Sequence, residues 1–252
     1  MPPDPIIEVD NLCYEVGGQE ILRDVTFTVE HGEIFGVMGM SGSGKSTLLR
    51  NIMGLVRPCG GDIRIEGESI IGLSERQLEG PRGKMGMCFQ YAALFDSMTV
   101  FDNVAFGLRR RLKLPEPEVG PRVQELLHYV GMTGSEAKMP SELSGGMKKR
   151  VGIARALALE PKVLLYDEPS AGLDPIITAV IDELILRLRS EFGMTSVVVT
   201  HEVDELFALS DRVLMIHDHT VAACDTPAAL RATDNPVVQQ FVHGLSQGPI
   251  AV

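Results

Sequence analysis

Gly39-Met40-Ser41-Gly42-Ser43-Gly44-Lys45-Ser46-Thr47 is the stretch that decides how this chain folds. It fits G-x-x-x-x-G-K-[ST], a loop whose glycines let backbone N–H groups turn inward around phosphate oxygens. Just before it, Ile34-Phe35-Gly36-Val37-Met38 is a short apolar run of the kind buried in a parallel sheet. Just after it, STLLRNIMGL (46–55) repeats apolar residues at helical spacing. Strand, glycine loop and helix in that order present a helix N-terminus to an anion. Lys45 is placed to reach the β- and γ-phosphates of a nucleotide, and the Ser46 hydroxyl to ligate Mg²⁺.

Outward from this loop the chain alternates strands and helices. Upstream, residues 6–30 read as two strands of a hairpin turning at Gly17-Gly18, and downstream Gly60-Gly61 opens another short strand, DIRIEG. Residues 91–142 differ in character: Pro115, Pro117, Pro121 and Pro140, the basic Arg109-Arg110-Arg111 and pieces such as VQELLHYVGM indicate an inserted helical subdomain. A strong helix is expected over 145–159, a buried strand at VLLYDEP, an amphipathic helix over 176–191 and a second buried strand at SVVVTH. DRVLMIHDHTVAACDTP reads as a late hairpin. The expected fold is α/β, with a core sheet around the glycine loop, an N-terminal antiparallel β region and the helical insertion. Its boundaries are 1–235 for the main domain and 236–252 for a C-terminal extension.

Composition narrows the function. A chain of 252 residues with 44% hydrophobic residues buries a large core without disulfides. A formal charge of −11 disfavours a general nucleic-acid binder. Cys13, Cys59, Cys88 and Cys224 form no C-x-x-C pair, which signals neither zinc nor redox chemistry and suits a reducing cytosol. MPPDPIIEVD shows no secretory pattern, and no run approaches the ~18 apolar residues of a membrane span. The expectation is a cytosolic protein whose membrane role, if any, comes through a partner.

Two further motifs carry chemistry. The strand Val163-Leu164-Leu165-Tyr166 delivers Asp167 and Glu168 at its C-terminal end, where ligands of open α/β sheets bind. Asp167 suits Mg²⁺, directly or through water, and Glu168, aimed elsewhere, suits polarisation of an attacking water. Leu143-Ser144-Gly145-Gly146-Met147 begins the helix expected over 145–159. Ser144 explains itself as an N-cap, but two successive glycines weaken a helix start, whereas a phosphate approaching the backbone explains both. One phosphate cradle is already present, so a second implies a second subunit.

The glycine loop, LSGGM and an apolar strand ending in Asp-Glu, in this order and spacing over roughly residues 6–225, resemble the ATPase subunits of ABC transporters. The resemblance implies ATP held by Gly39, Ser41, Gly42, Ser43, Gly44, Lys45, Ser46 and Thr47, with Mg²⁺ on Ser46, Gln90 and Asp167. It makes Gln90 a residue that contacts Mg²⁺ and the attacking water and couples to the permease, and His201 a contact to the γ-phosphate. It makes Glu168 catalytic, and places Ser144, Gly145, Gly146 and Asp174 against the nucleotide of the partner in a head-to-tail homodimer. The adenine-stacking aromatic expected before the first turn is replaced by Val16, and Tyr14 is the neighbouring candidate.

ALFDSMTVFDNVAFGLR, MPSELSGGMKKRVGIARALALEP and DPI after Asp174 resemble more closely the Mla, or Mkl and toluene-tolerance, ATPases. Met147 and the tail VVQQFVHGLSQGPI point the same way. That resemblance implies phospholipid transport with a permease, an MCE-domain protein and a small STAS-domain protein, at the cytoplasmic face of a bacterial inner membrane. An importer for a small polar solute keeps the same chemistry with another cargo. A chromosome- or repair-type ATPase needs coiled-coil arms, for which the about 50 residues between Gln90 and Ser144 leave too little. In the tail, apolar residues at 237, 238, 241 and 242 predict a short helix, with Ile250 and Val252 as anchors. Its docking face is open between its own chain, a neighbouring subunit and the STAS partner.

Overall fold

The computed structural model describes residues 5–250. The Gly17-Gly18 turn, both residues at positive φ, joins β1 (Ile7–Val16) to β2 (Gln19–Val29) as an antiparallel hairpin. β3 (Ile34–Gly39) leads through the glycine loop into α1 (Lys45–Ile52). β4 (Gly60–Ile65) and β5 (Glu68–Ser69) return to the hairpin, completing a four-stranded antiparallel sheet in the order β2-β1-β4-β5. α2 (Glu75–Gly83) then precedes β6 (Met85–Cys88).

The segment read as a helical insertion over about 91–142 becomes helical only at α3 (Val100–Gly107), which continues through a π turn, Leu108–Leu112. Residues 91–99 form an irregular loop. α4 (Glu116–Tyr129) and the helix α5 (Gly145–Leu157) pack on α3. Pro115 and Pro117 sit at the start of α4 and Pro140 opens a short 3-10 turn, where a missing N–H costs little. Arg109 bridges Asp102 and Glu116, tying α3 to α4.

β7 (Val163–Asp167), α6 (Pro175–Phe192), β8 (Thr195–Val199), α7 (Val203–Leu209), β9 (Arg212–His217) and β10 (Thr220–Asp225) complete a six-stranded sheet in the order β10-β9-β3-β8-β7-β6. Only β10 runs antiparallel to its neighbour. Alternation along these buried strands separates two cores. Ile34, Met38, Leu164, Tyr166, Val198, Val213 and Met215 face the helical subdomain and α6. Phe35, Val37, Val163, Leu165, Val197, Val199, Leu214 and Ile216 face α1 and the antiparallel sheet. A strand buried on both faces shows a continuous apolar run, which is why each was legible as a buried strand while the run itself does not mark which residue faces which core.

α8 (Pro227–Ala232) and α9 (Pro236–Val242) close the chain. The stripe expected in the tail forms: Val238 and Val242 are buried, with Val237 and Phe241 packed on the same core. Gln240 then folds the end back, its amide donating to Ile250 O and its carbonyl accepting from Ile250 N at 2.7 Å. Ile250 is therefore an anchor on its own chain, while Val252 is outside the described residues.

One half-buried polar pair stands between α6 and α7. The Asp182 and Glu205 carboxyls are neighbours, and Ser170 Oγ donates to Glu205 Oε2 at 2.8 Å. Asp182 Oδ1 and Glu205 Oε1 are buried without a hydrogen-bond partner. Burial, together with the neighbouring Glu205 carboxylate, pushes the Asp182 carboxyl up to about 7 from its ordinary 3.8. Between those values the folded chain holds a proton that the unfolded chain has released, so this pair lowers stability as pH rises through that window. Asp182→Asn keeps the shape and a donor and removes the titration. It is expected to raise the melting temperature at pH 8 relative to the native chain, by roughly 2–4 °C per kcal/mol relieved, and by less at pH 5. Thermal melts of both chains at the two pH values check this; an equal shift at both contradicts it.

Candidate functional site

The adjacent order β3-β8-β7-β6 brings four strand C-termini to one edge of the sheet. β3 delivers the glycine loop, β8 delivers His201, β7 delivers Asp167 and Glu168, and β6 delivers Gln90. Ser41, Gly42, Gly44, Lys45, Ser46, Thr47, Gln90, Glu168 and His201 line a cleft of about 360 Å³ there.

The loop's glycines answer to different needs. A Cβ on Gly39 would lie 2.3 Å from Ile216 O, and one on Gly44 2.8 Å from Ile21 O, so both are fixed by close packing. Gly42, at φ +79, has open space on its side-chain face, and its conformation alone demands glycine. Ser43 turns to the other side, where its hydroxyl is buried without a partner. Lys45 is buried, its Nζ donating to Gly39 O at 2.8 Å and Met40 O at 2.9 Å. Burial pulls its pKa down, while Glu168 and Asp167 act in the opposite direction.

Ser46 Oγ donates to Asp167 Oδ1 at 2.7 Å, joining the first turn of α1 to the end of β7. Among the described residues no group of three or more His, Cys, Asp and Glu side chains encloses a metal. The Ser46 hydroxyl and the Asp167 carboxylate are instead hard oxygen donors beside a phosphate-binding loop. That set fits Mg²⁺, which usually takes one or two protein oxygens and completes its shell with water and phosphate.

Strand alternation alone would aim Glu168 away from the face that Asp167 serves, but its backbone turns into the left-handed region, φ +51. Its N–H donates to Val199 O at 2.8 Å, and its carbonyl accepts from Lys149 Nζ at 2.6 Å. The carboxylate thereby reaches the His201 ring, Oε2 to Nδ1 2.9 Å. The arrangement sets a carboxylate able to accept a proton and an imidazole able to orient it at the mouth of a phosphate cradle. Lys149 was not singled out in the sequence; its lone signal was a basic residue within a helix whose other face is apolar.

Other expected site residues are elsewhere. Neither Tyr14 nor Val16 lines the cleft: Tyr14 packs on the core beneath the antiparallel sheet, and Val16 is 57% exposed at the end of β1. Ile21, which the sequence reading passed over, is the apolar residue at the cleft. Ser144, Gly145, Gly146 and Asp174 are not among the residues lining it. Ser144 Oγ caps α5 by accepting from Met147 N at 3.3 Å, and Asp174 caps α6 through Ile176 N and Ile177 N. A Cβ on Gly146 would lie 2.4 Å from Ile177 Cγ2, and one on Gly145 3.3 Å from Leu173 Cδ2. Packing against Ile177 at the start of α6 thus gives Gly146 a second reason beside the approaching phosphate expected from the sequence, while a side chain on Gly145 would press only on the end of Leu173.

Comparison with known proteins agrees with this geometry. A family model described as ABC transporter matches residues 22–171. The chain is 41% identical over 245 residues to the intermembrane phospholipid transport system ATP-binding protein MlaF of Escherichia coli K12, covering 97% of this chain and 91% of MlaF. It is 41% identical over 252 residues to the probable ribonucleotide transport ATP-binding protein mkl of Mycobacterium leprae, covering all of this chain and 73% of mkl. Its fold matches the ATP-binding cassette MJ0796, described as a dimer in a post-hydrolysis state bound to ADP and Pi, with a TM-score of 0.80 and 31% identity over 88% of this chain and 98% of that one. The chain belongs to the ABC transporter family, and it is an ATPase.

Glu168→Gln keeps size and hydrogen-bonding capacity but accepts no proton. It is expected to bind ATP with near-native affinity and to hydrolyse it roughly 10²–10⁴-fold more slowly. Equilibrium binding of a labelled nucleotide beside steady-state turnover measures both; near-native turnover removes Glu168 from the chemistry.

Proposed function

We propose that this chain powers a transporter that moves phospholipid between membranes, working as a head-to-tail homodimer bound to an integral-membrane permease. The observation that carries the cargo is the match to MlaF, which covers nearly the whole of both chains at 41% identity. The observation that supports the engine is the cleft, where loop, Mg²⁺ donors, carboxylate and imidazole meet.

In this reading Gly39, Ser41, Gly42, Ser43, Gly44, Lys45, Ser46 and Thr47 cradle the triphosphate. Ser46, Asp167 and Gln90 hold Mg²⁺, which neutralises phosphate charge when bound. Glu168 accepts a proton from the attacking water, His201 orients Glu168 and reaches toward the γ-phosphate, and Lys149 keeps the Glu168 turn in place. Ile21, with Tyr14 and Val16 nearby on the hairpin, offers the adenine an apolar wall rather than a stacked ring. Ser144, Gly145, Gly146 and Asp174 act on the nucleotide of the second copy, since they do not reach the cleft of their own. The main domain runs through residue 235, and 236–252 is an extension.

No helix among the described residues is long and apolar enough to cross a membrane, and in this reading the membrane-spanning part is the permease. The loop beyond Gln90 and α3 present Tyr91, Phe95 and Phe106 to solvent, with Tyr91 86% exposed. An apolar surface beside the cleft suits a permease segment that moves with it. The complex would include an MCE-domain protein and a small STAS-domain protein, with this subunit at the cytoplasmic face of the inner membrane. The similarity to mkl, described as a probable ribonucleotide transport protein, favours a second reading in which the cargo is a polar solute.

Two experiments test these assignments. Reconstituted in vesicles with its permease, the chain is expected to show ATPase activity that rises with phospholipid supplied as cargo and not with ribonucleotides; the reverse response establishes the second reading. A mixture of Lys45→Ala and Ser144→Arg chains is expected to regain one intact composite site per mixed dimer, and so to exceed the activity of either mutant alone. If mixing adds nothing, the head-to-tail arrangement, or the independence of its two sites, is wrong.

A further inference from the structure

We propose that Arg155 is a positioning residue for Gln90: its guanidinium holds in place the left-handed backbone turn from which the glutamine enters the cleft. The inference rests on the role given to Gln90 above and adds what fixes its aim. After β6 the chain passes through Phe89, Gln90 and Tyr91 and then takes two consecutive alanines into the left-handed region, Ala92 at φ +58 and Ala93 at φ +47. Alanine has no side-chain acceptor or donor to favour that conformation and carries the Cβ that opposes it. Two in succession persist only where the surroundings determine them.

The surroundings are on α5. Arg155 Nη2 donates to Ala92 O at 2.8 Å and Nη1 to Ala93 O at 2.6 Å, one prong to each carbonyl of the turn. Among the described residues Arg155 has no carboxylate partner, and these two carbonyls are its only hydrogen-bond acceptors. Burial lowers its pKa, as expected of a guanidinium taken out of water without a counter-ion. A desolvated cation of this kind is costly unless its hydrogen bonds are made, and the two carbonyls of the turn supply them. The ring of Phe95, 5.8 Å from its centre, covers it. Gly152, one turn earlier, faces Ala92, and a Cβ there would meet Ala92 Cβ at 3.4 Å, an ordinary contact distance.

Within the turn, Ala92 N donates to Phe89 O at 2.8 Å and Ala93 N to Tyr91 O at 2.7 Å, so the backbone on both sides of Gln90 is fixed to the alanines that Arg155 grips. Gln90 lines the cleft while its neighbour Tyr91 is turned out to solvent. Releasing the two carbonyls lets the alanines relax to ordinary backbone angles and swings Gln90 off its line. The same helix also holds the Glu168 carbonyl through Lys149, two turns away.

The test is a double-mutant cycle in the full-length chain, reading kcat and the ATP KM in steady state. Gln90→Ala and Arg155→Ala are each expected to lower kcat, on the order of 10–10²-fold, with KM changed much less. Arg155→Ala in the Gln90→Ala background is expected to lower it no further, because it acts through a side chain already removed. Ala92→Gly with Ala93→Gly is expected to restore part of the Arg155→Ala loss, since glycine enters the left-handed region without strain. Arg155→Lys, which keeps the charge and stem but not the rigid fork, carries the same cycle should Arg155→Ala unfold at the assay temperature. Near-native kcat for the Arg155 variants, or losses that multiply fully with Gln90→Ala, overturns the proposal while leaving Gln90 in its role. Near-native kcat for Gln90→Ala alone overturns the role of Gln90 and the proposal with it.

Discussion

The cleft depends on the backbone of one residue. Successive residues of a strand point to opposite faces, so Asp167 and Glu168 cannot both serve one site unless the chain turns between them. Glu168 makes that turn by entering the left-handed region, at a cost on the order of 1–3 kcal/mol for a non-glycine residue. Three contacts hold it: its N–H on Val199 O, its carbonyl on Lys149 Nζ and its carboxylate on His201. A neutral hydrogen bond contributes about 0.5–1.5 kcal/mol net and one to a charged group about 1.5–3, so the three together outweigh the strain. Each comes from a different element, β8, α5 and the loop after β8. The geometry of the carboxylate is therefore a property of the assembled sheet and not of the local sequence.

That origin explains what could be read in advance. The glycine loop, the strand before it and the helix after it were legible because turn, capping and apolar runs are encoded within a few residues. So were the hairpin at Gly17-Gly18 and the stripe of the terminal helix. The family resemblance added Gln90 and His201, which alone are an unremarkable glutamine and histidine after short strands. Ile21, Lys149 and Arg155 escaped because nothing local marks them; each matters through a contact with a residue at least 19 positions away, as in the Lys149–Glu168 bond. Tyr14 and Val16 stand outside the lining of the cleft for a related reason. Val16 follows from counting back from the glycine loop as in the family and Tyr14 from sharing its strand face, but the β1–β2 register shifts between Leu12 and Tyr14 and again between Tyr14 and Glu15.

The glycines at 145 and 146 show how a sound local argument misses a distant cause. Two glycines do weaken a helix start, and a ligand approaching the backbone is one way to repay that. Here the start of α6 supplies a protein reason, because Ile177 occupies the space a side chain on Gly146 would need. The two explanations are compatible: the packing brings the Ser144 and Asp174 caps close together on one surface, and a nucleotide carried by a second copy would meet both. Local weakness tolerated for packing then becomes an exposed helix N-terminus with its N–H groups forward.

A cassette whose parts are distributed in this way must transmit position along something stiff, and α5 has the required contacts. Its N-terminus carries Ser144-Gly145-Gly146, its middle grips the Glu168 carbonyl through Lys149, and its last turn grips the loop after Gln90 through Arg155. An α-helix rises about 1.5 Å per residue and compresses little, so displacement at one end is felt at the others with small loss. Both grips are on backbone carbonyls, whose direction is set by φ and ψ and not by a rotamer. A shift of the helix would therefore re-aim the Glu168 carboxylate and the Gln90 amide together by moving the left-handed turns from which they project. In the proposed dimer the force on the helix N-terminus comes from the partner's nucleotide, and the loop beyond Gln90 faces the permease. The helix that completes one active site would then be the same element that aligns the catalytic groups of the other.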